Sequence, residues 1–221
     1  MYTLRSLIIF LVMMIPVSVS AQNQPFSGFY AGARAQYTAG DESPNIGLLW
    51  RGFSVSRPLS FQGESNGIQI GFWRQLGQSP WRWGVEVNAS RRGGVAHSVE
   101  SMTIAGFPAS VGLRTELRTS VALRLQAGYV VGDRTMLYGF ASAAGQQVAI
   151  QASAAIGPLS YRSEASGWGP YRSVGLGVSH MFGRKTSAFV EVSQGRMAVT
   201  SGTTTIGIRR NNVTVGFNRF F

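Results

Sequence analysis

The sequence predicts an all-β fold: an eight-stranded antiparallel transmembrane β-barrel with short turns on one rim and long loops on the other. Three observations predict it. Eight segments, each near ten residues, carry apolar side chains at every second position, the period of a strand with one apolar face. The connections between these segments alternate between short and long. Charged residues are only 13% of the 221-residue chain, sparse for a surface that meets water on every side.

The N-terminus supplies an address. Arg5 precedes an apolar stretch, Leu7–Pro16 (LIIFLVMMIP), which SVSA follows at Ser18–Ala21. A basic start, a short apolar centre and compact side chains at Val19 and Ala21 make the pattern of a secretory signal peptide cleaved before Gln22. The run is short for a helix that must cross about 30 Å of hydrocarbon. Residues 1–21 are therefore expected to be a cleaved signal peptide and 22–221 the barrel domain. Losing Arg5 leaves 19 basic against nine acidic residues, a net charge of +10. Arginines at membrane interfaces and in a polar lumen account for this excess; anionic headgroups are the other reading. With no cysteine, neither disulfides nor thiolate metal sites are available.

The strands follow in order. In Phe29–Tyr37, Phe29, Ala31, Ala33, Ala35 and Tyr37 oppose Tyr30, Gly32, Arg34 and Gln36. In Gly67–Gln75, Ile68, Ile70 and Phe72 oppose Gln69, Gly71, Trp73 and Gln75. In Arg82–Ser90, Trp83, Val85, Val87 and Ala89 alternate with Arg82, Gly84, Glu86, Asn88 and Ser90. The fourth, about Leu117–Val131, turns Val121, Leu123, Leu125, Ala127 and Tyr129 away from Arg118, Ser120, Arg124, Gln126 and Gly128. The fifth, Thr135–Ala144, sets Met136, Tyr138 and Phe140 as the apolar face against Gly139, Ala141 and Ala143. The sixth, Tyr171–Met181, sets Val174, Leu176 and Val178 against Ser173, Gly175, Gly177 and Ser179. The seventh, Thr186–Ser193, sets Ala188, Val190 and Val192 against Ser187, Phe189, Glu191 and Ser193. The eighth, closing the chain as NNVTVGFNRFF, puts Val213, Val215, Phe217 and Phe221 opposite Thr214, Gly216, Asn218 and Phe220.

Gln75–Trp81, Val131–Arg134 and Phe182–Lys185 are short connections; Thr38–Gly67, Arg91–Glu116, Gly145–Gly169 and Gln194–Arg209 are long. An even strand count with short periplasmic turns and long extracellular loops suits an outer-membrane barrel. Periodicity alone does not say which face is outside. The polar faces are mostly glycine, alanine and serine with a few long polar side chains, which suits a lumen just wide enough to be filled. Apolar residues then face lipid, including the girdle aromatics Phe29, Tyr37, Phe72, Trp83, Tyr129, Tyr138, Phe217 and Phe221.

FSGFYAGARAQYTAG (Phe26–Gly40), NGIQIGFWRQ (Asn66–Gln75), WRWGVEVNAS (Trp81–Ser90), AGYVVGDRTMLYGFASAA (Ala127–Ala144), VGLGVSHMFGRKTSAFVEV (Val174–Val192) and VTVGFNRFF occur in that order. Together they resemble small bacterial outer-membrane β-barrel proteins: the porin-family or opacity-type surface antigens, similar in fold to the OmpA transmembrane domain. The resemblance implies a Gram-negative outer-membrane location and a C-terminal assembly signal read by the barrel-assembly machinery. Gly216, Phe217 and Phe221 match that signal; Arg219 departs from it, because an apolar or aromatic residue is usual there. A chain ending with the eighth strand is expected to lack a peptidoglycan-binding domain.

Charges on the polar faces imply a lumen network of Arg34, Glu86, Arg124 and Glu191, since an unpaired charge in a narrow lumen is costly. Arg124 on the fourth strand is the expected partner of Glu86 on the third. A static plug is the bland reading of this network and a gate the sharp one. Loop arginines Arg51, Arg57, Arg91, Arg92, Arg114, Arg162 and Arg209 are candidate contacts to lipopolysaccharide phosphates, which arginine binds in bidentate fashion. The two histidines, His97 and His180, are expected far apart and outside any catalytic pattern. No enzyme activity, cofactor or metal is expected, and no nucleic-acid partner. The function expected is structural and surface-exposed: envelope support, with loops available for adhesion or host contact. A narrow small-solute channel is the alternative, followed by a lipid A-modifying enzyme.

Overall fold

The computed structural model describes residues 25–48, 53–55, 59–91, 93–104, 107–201 and 204–221; the expected signal peptide lies outside them. The strands are β1 (Gly28–Leu48), β2 (Phe53–Val55), β3 (Leu59–Gln75), β4 (Trp81–Arg91), β5 (Gly94–Ile104), β6 (Phe107–Val131), β7 (Thr135–Ile156), β8 (Leu159–Met181), β9 (Thr186–Ser201) and β10 (Thr204–Phe220). Eight of them close a ring in the order β1, β3, β4, β6, β7, β8, β9, β10. The last returns to the first, from Tyr30 opposite Phe220 out to Asn45 opposite Thr205. Phe221 lies just past β10 and donates its N–H to the Phe29 carbonyl at 3.0 Å. Every ring pairing is antiparallel. The fold is an eight-stranded antiparallel transmembrane β-barrel.

Alternation fixes which face is outside. Along β10, every even residue from Ile208 to Phe220 is buried and every odd one exposed. The exposed face is the apolar one: Ile68 is 67% exposed, Leu125 62%, Leu176 67% and Phe217 65%. Water would punish a continuous belt of such residues, whereas hydrocarbon demands it. The inner face holds Gln69, Glu86, Asn88, Arg124, Gln126, Glu191, Asn212 and Thr214, all buried.

One face assignment is corrected. Met136, Tyr138 and Phe140 point into the lumen, and Leu137 and Ala141 face lipid. Tyr138 therefore does not belong to the girdle. Its ring needs a seat, and Gly177 directly opposite on β8 supplies it: a Cβ there would fall 2.5 Å from the ring. Gly71 makes the same room for Tyr30, and Gly195 for Tyr171. Large rings on one strand thus interlock with bare backbone on a neighbour.

The short connections are turns at Gly77, Gly132 and Gly183, each with positive φ, a conformation glycine adopts at little cost. The opposite rim differs from expectation in kind. The long intervals are largely strand: β7 runs to Ile156 and β8 resumes at Leu159, around Gly157–Pro158. There β4 and β5 form one stave, broken near Gly93, whose N–H bonds the Leu117 carbonyl at 3.0 Å. At the same height β6 shifts register between Leu117 and Ser120, a bulge of the kind that bends a strand. The shift exchanges faces, so Thr115 and Leu117 are buried above it and Ala122 and Arg124 below.

Candidate functional site

The lumen is filled in layers, because each strand contributes one inward side chain in two. At the short-turn rim, Phe26, Tyr30, Trp73, Val130, Met136, Met181 and Phe220 form an apolar plug with Tyr138 and Phe140. Phe26 stands edge-on to Phe220 at 6.2 Å, and Trp73 edge-on to Tyr138 at 5.9 Å. Phe26 adopts φ 55°, strained for a bulky residue and held by this packing.

Above the plug lie four charges. Arg124 donates from one guanidinium nitrogen to Glu86 Oε1 and from the other to Glu191 Oε1, both at 2.8 Å. Arg34 lies 3.5 Å from Glu86 and 3.5 Å from Glu191. The side chains of Arg124, Glu86 and Glu191 are at most 3% exposed and that of Arg34 9%. Tyr30 donates its hydroxyl to Glu86 Oε2 at 2.8 Å, and Tyr138 donates to Glu191 Oε1 at 2.8 Å. Asn88 and Gln126 add donors to Glu86 at 3.1 and 3.3 Å. The Arg124 guanidinium stacks on the Phe140 ring at 3.6 Å. Two cations and two anions, surrounded by neutral donors, balance one another's charge where desolvation would otherwise be prohibitive, while Arg34 Nη1, Arg124 Nε and Glu191 Oε2 have no hydrogen-bond partner.

Beyond the charges is a cavity of about 50 Å³, then a second apolar layer of Ala96, Leu117, Val148, Tyr171, Met197 and Ile208. The space on the plug side of the charges is smaller, about 10 Å³.

The other candidate residues are placed as follows. Gly216 faces inward and seats the Phe189 ring, while Phe217 and Phe221 face lipid. Arg219 is exposed and donates to Thr186 Oγ1 at 2.8 Å. Arg91, Arg114, Arg162 and Arg209 are exposed; Arg51, Arg57 and Arg92 lie outside the described residues. Arg114 is opposite His97 across the β5–β6 hairpin, and Arg162 donates to Gln151 at 3.0 Å. His180 sits near the short-turn rim beside Thr135, at 3.0 Å.

Arg209, a named candidate, stands in a row with two outward arginines, Arg172 and Arg196, that the sequence reading missed. Arg172 on β8 is opposite Arg196 on β9, which is opposite Arg209 on β10, and all three are exposed. Counting in twos from Val174, Val192 and Val213 would have found each one; their alignment needed the register. Tyr30 lies on the lumen face expected of it, but its bond to Glu86 needed the structure; Tyr138 was missed because a tyrosine reads as apolar until its hydroxyl has an acceptor.

Comparison with known proteins agrees with this architecture. The model of the outer membrane protein beta-barrel domain family matches residues 7–221. Among solved structures, the outer membrane protease OmpT from Escherichia coli superposes with a TM-score of 0.50 at 11% identity, over 87% of this chain and 96% of that one. Neisserial surface protein A gives 0.47 at 15% identity, over 88% and 98%. The N-terminal β-barrel domain of Pseudomonas aeruginosa OprF gives 0.33 at 14% identity, over 84% and 96%. No curated protein sequence matches significantly. At these identities the structural likeness concerns the fold, and membership rests on the family model, which takes in all but the first six residues. The chain is an outer-membrane protein and belongs to the outer membrane protein beta-barrel domain family.

Proposed function

We propose that this barrel is a closed, non-enzymatic structural element of the outer membrane that engages outer-leaflet phosphates and holds its hairpins out as a contact surface. The layered lumen carries this reading: an apolar plug, a four-charge layer and an outer apolar layer lie in series. Opening it would mean pulling Arg124 from two carboxylates and a ring at once, which makes a static plug favoured over a gate. Planar-bilayer recording of the refolded protein tests this. The expected trace is flat; regular unitary steps would instead favour the small-solute channel.

The membrane-facing part of the proposal rests on the row Arg172, Arg196 and Arg209. Like charges directly opposite one another destabilise a sheet, and lipopolysaccharide phosphates would relieve the repulsion through bidentate contacts. Arg91, Arg114 and Arg162 add to the basic outer surface. Replacing all three arginines of the row with alanine should weaken lipopolysaccharide binding to the reconstituted barrel about tenfold or more. Unchanged binding would remove this part of the reading. A lipid-modifying activity would need His97 or His180, and hydrolysis of labelled lipopolysaccharide abolished by replacing either would restore that third possibility.

A further inference from the structure

Arg219 stands where the C-terminal signal usually carries an apolar or aromatic side chain, and it has company. Arg134 in the β6–β7 turn, Arg184 and Lys185 in the β8–β9 turn, and Arg219 on β10 are all exposed at the short-turn rim. The backbone sets them side by side. Met181 donates its N–H to the Arg134 carbonyl at 2.7 Å, and Phe220 donates to the Lys185 carbonyl at 2.7 Å. Arg219 is opposite Thr186, the first residue of β9. Four consecutive staves, β7 to β10, thus present four cations as one patch. Phe182, 63% exposed, opens the β8–β9 turn and stands edge-on to the His180 ring at 5.1 Å.

Little acid opposes these charges. Of the nine acidic residues only Asp133 lies in a short connection, and the carboxylate that closes the chain at Phe221 adds one more. Arg219 is held by a neutral acceptor, Thr186 Oγ1, at 2.8 Å. Arg134, Arg184 and Lys185 have no side-chain partner among the described residues. An anion of matching height would relieve their mutual repulsion.

Height identifies that anion. Just above the patch runs the lipid-facing belt: Leu137 opposite Val178, Val178 opposite Val190 and Val190 opposite Val215, all about half exposed. Phe217 is two residues from Arg219, and Val178 two from His180, on the same outward faces. Cations that begin where the apolar belt ends stand among headgroups, which their long stems let them reach, and an exposed aromatic suits the same depth. Short turns face the periplasm in barrels of this kind, so these headgroups belong to the inner leaflet.

We propose that this patch is a docking surface for an anionic phospholipid of the inner leaflet, of the phosphatidylglycerol class, with Arg134, Arg184, Lys185 and Arg219 gathered on its headgroup. Net charge is what they select. A zwitterionic lipid brings its own ammonium to the same phosphate, whereas each basic residue near an anionic surface gains about fivefold in affinity.

The test uses the mature chain refolded in neutral micelles, with native mass spectrometry counting the phosphatidylglycerol and phosphatidylcholine retained from an equimolar mixture at low salt. The wild type should prefer phosphatidylglycerol about tenfold or more. The triple variant Arg134→Gln, Arg184→Gln, Lys185→Gln should retain the two lipids equally, and Arg219→Gln alone should lose about fivefold. Arg74→Gln, which removes an exposed cation of the same rim on β3, should keep the wild-type preference. Equal retention by the wild type overturns the proposal. So does a triple variant that keeps the preference, which would assign it to the arginines of the opposite rim. A loss in Arg74→Gln as large as in Arg219→Gln overturns the local patch by spreading the attraction over the whole rim. A wild type without lipid preference that sediments with peptidoglycan sacculi would give the patch to the cell wall instead. Should the triple variant fail to fold, phosphatidylglycerol with a photoactivatable headgroup decides the matter on the wild type. Labelling of Phe182–Lys185 is the expected result, and labelling confined to other segments overturns the site.

Discussion

Arg124 shows how a single side chain can carry a lumen. It bridges two carboxylates from β4 and β9 and lies on a ring from β7, so it ties three staves across the barrel. Arg124→Met leaves Glu86 and Glu191 buried with only Arg34 between them, and the expected loss is about 3–5 kcal/mol. The urea midpoint of the refolded protein in micelles would report it. Adding Glu86→Gln and Glu191→Gln to that variant should recover much of the loss, because the carboxylates then no longer need a cation. The pairing of Glu86 with Arg124 was legible, since both lie on polar faces of strands that neighbour in the ring. Arg34 too was legible as a member of the network; the share taken by Tyr138 was not, because it depends on which way β7 faces.

That face was misread for a physical reason. In β7 both faces are apolar, one bulky and one small, so hydropathy gives no sign and only fit decides. The same strand offers a matched test. Gly177 faces the Tyr138 ring, whereas a Cβ at Gly139 would find its nearest neighbour at 3.5 Å, an ordinary contact on the lipid side. Gly177→Val should therefore cost about 1–3 kcal/mol or more from overpacking, while Gly139→Val leaves the barrel's heat-modifiable gel shift and urea midpoint unchanged. Equal effects would mean the rings are not seated as described. β10 poses the parallel question for assembly. Arg219 faces out at the short-turn rim, where its long stem can reach the interface. Arg219→Tyr is expected to preserve or raise the membrane yield, and deleting Phe221, which carries the last bond to β1, to lower it. Matching yields for the intact and truncated chains would detach Phe221 from assembly.

At the scale of the whole molecule, strand length exceeds what the bilayer requires. About 9–11 tilted residues cross the hydrocarbon, yet β6 has 25 and β8 has 23. The excess stands on the rim opposite the short turns, as ladders rather than irregular loops. Sequence reading took those intervals for loops because glycine, serine and charged residues interrupt the alternation there, and no hydrocarbon enforces it. Their stability comes from backbone pairing, such as Ile156 with Leu159 and onward to Gln146 with Gly169. The β8 residues from Leu159 to Trp168 are exposed throughout, so few apolar contacts hold this hairpin and local opening should be easy. Trypsin added to intact cells is accordingly expected to cut after Arg162 and to spare Arg34 and Arg124, leaving a fragment that keeps its heat-modifiable mobility. Cleavage only after the membrane is breached would place the hairpins on the inner side and reverse the orientation. Resistance even in micelles would show that the outer ladders are far firmer than their burial implies.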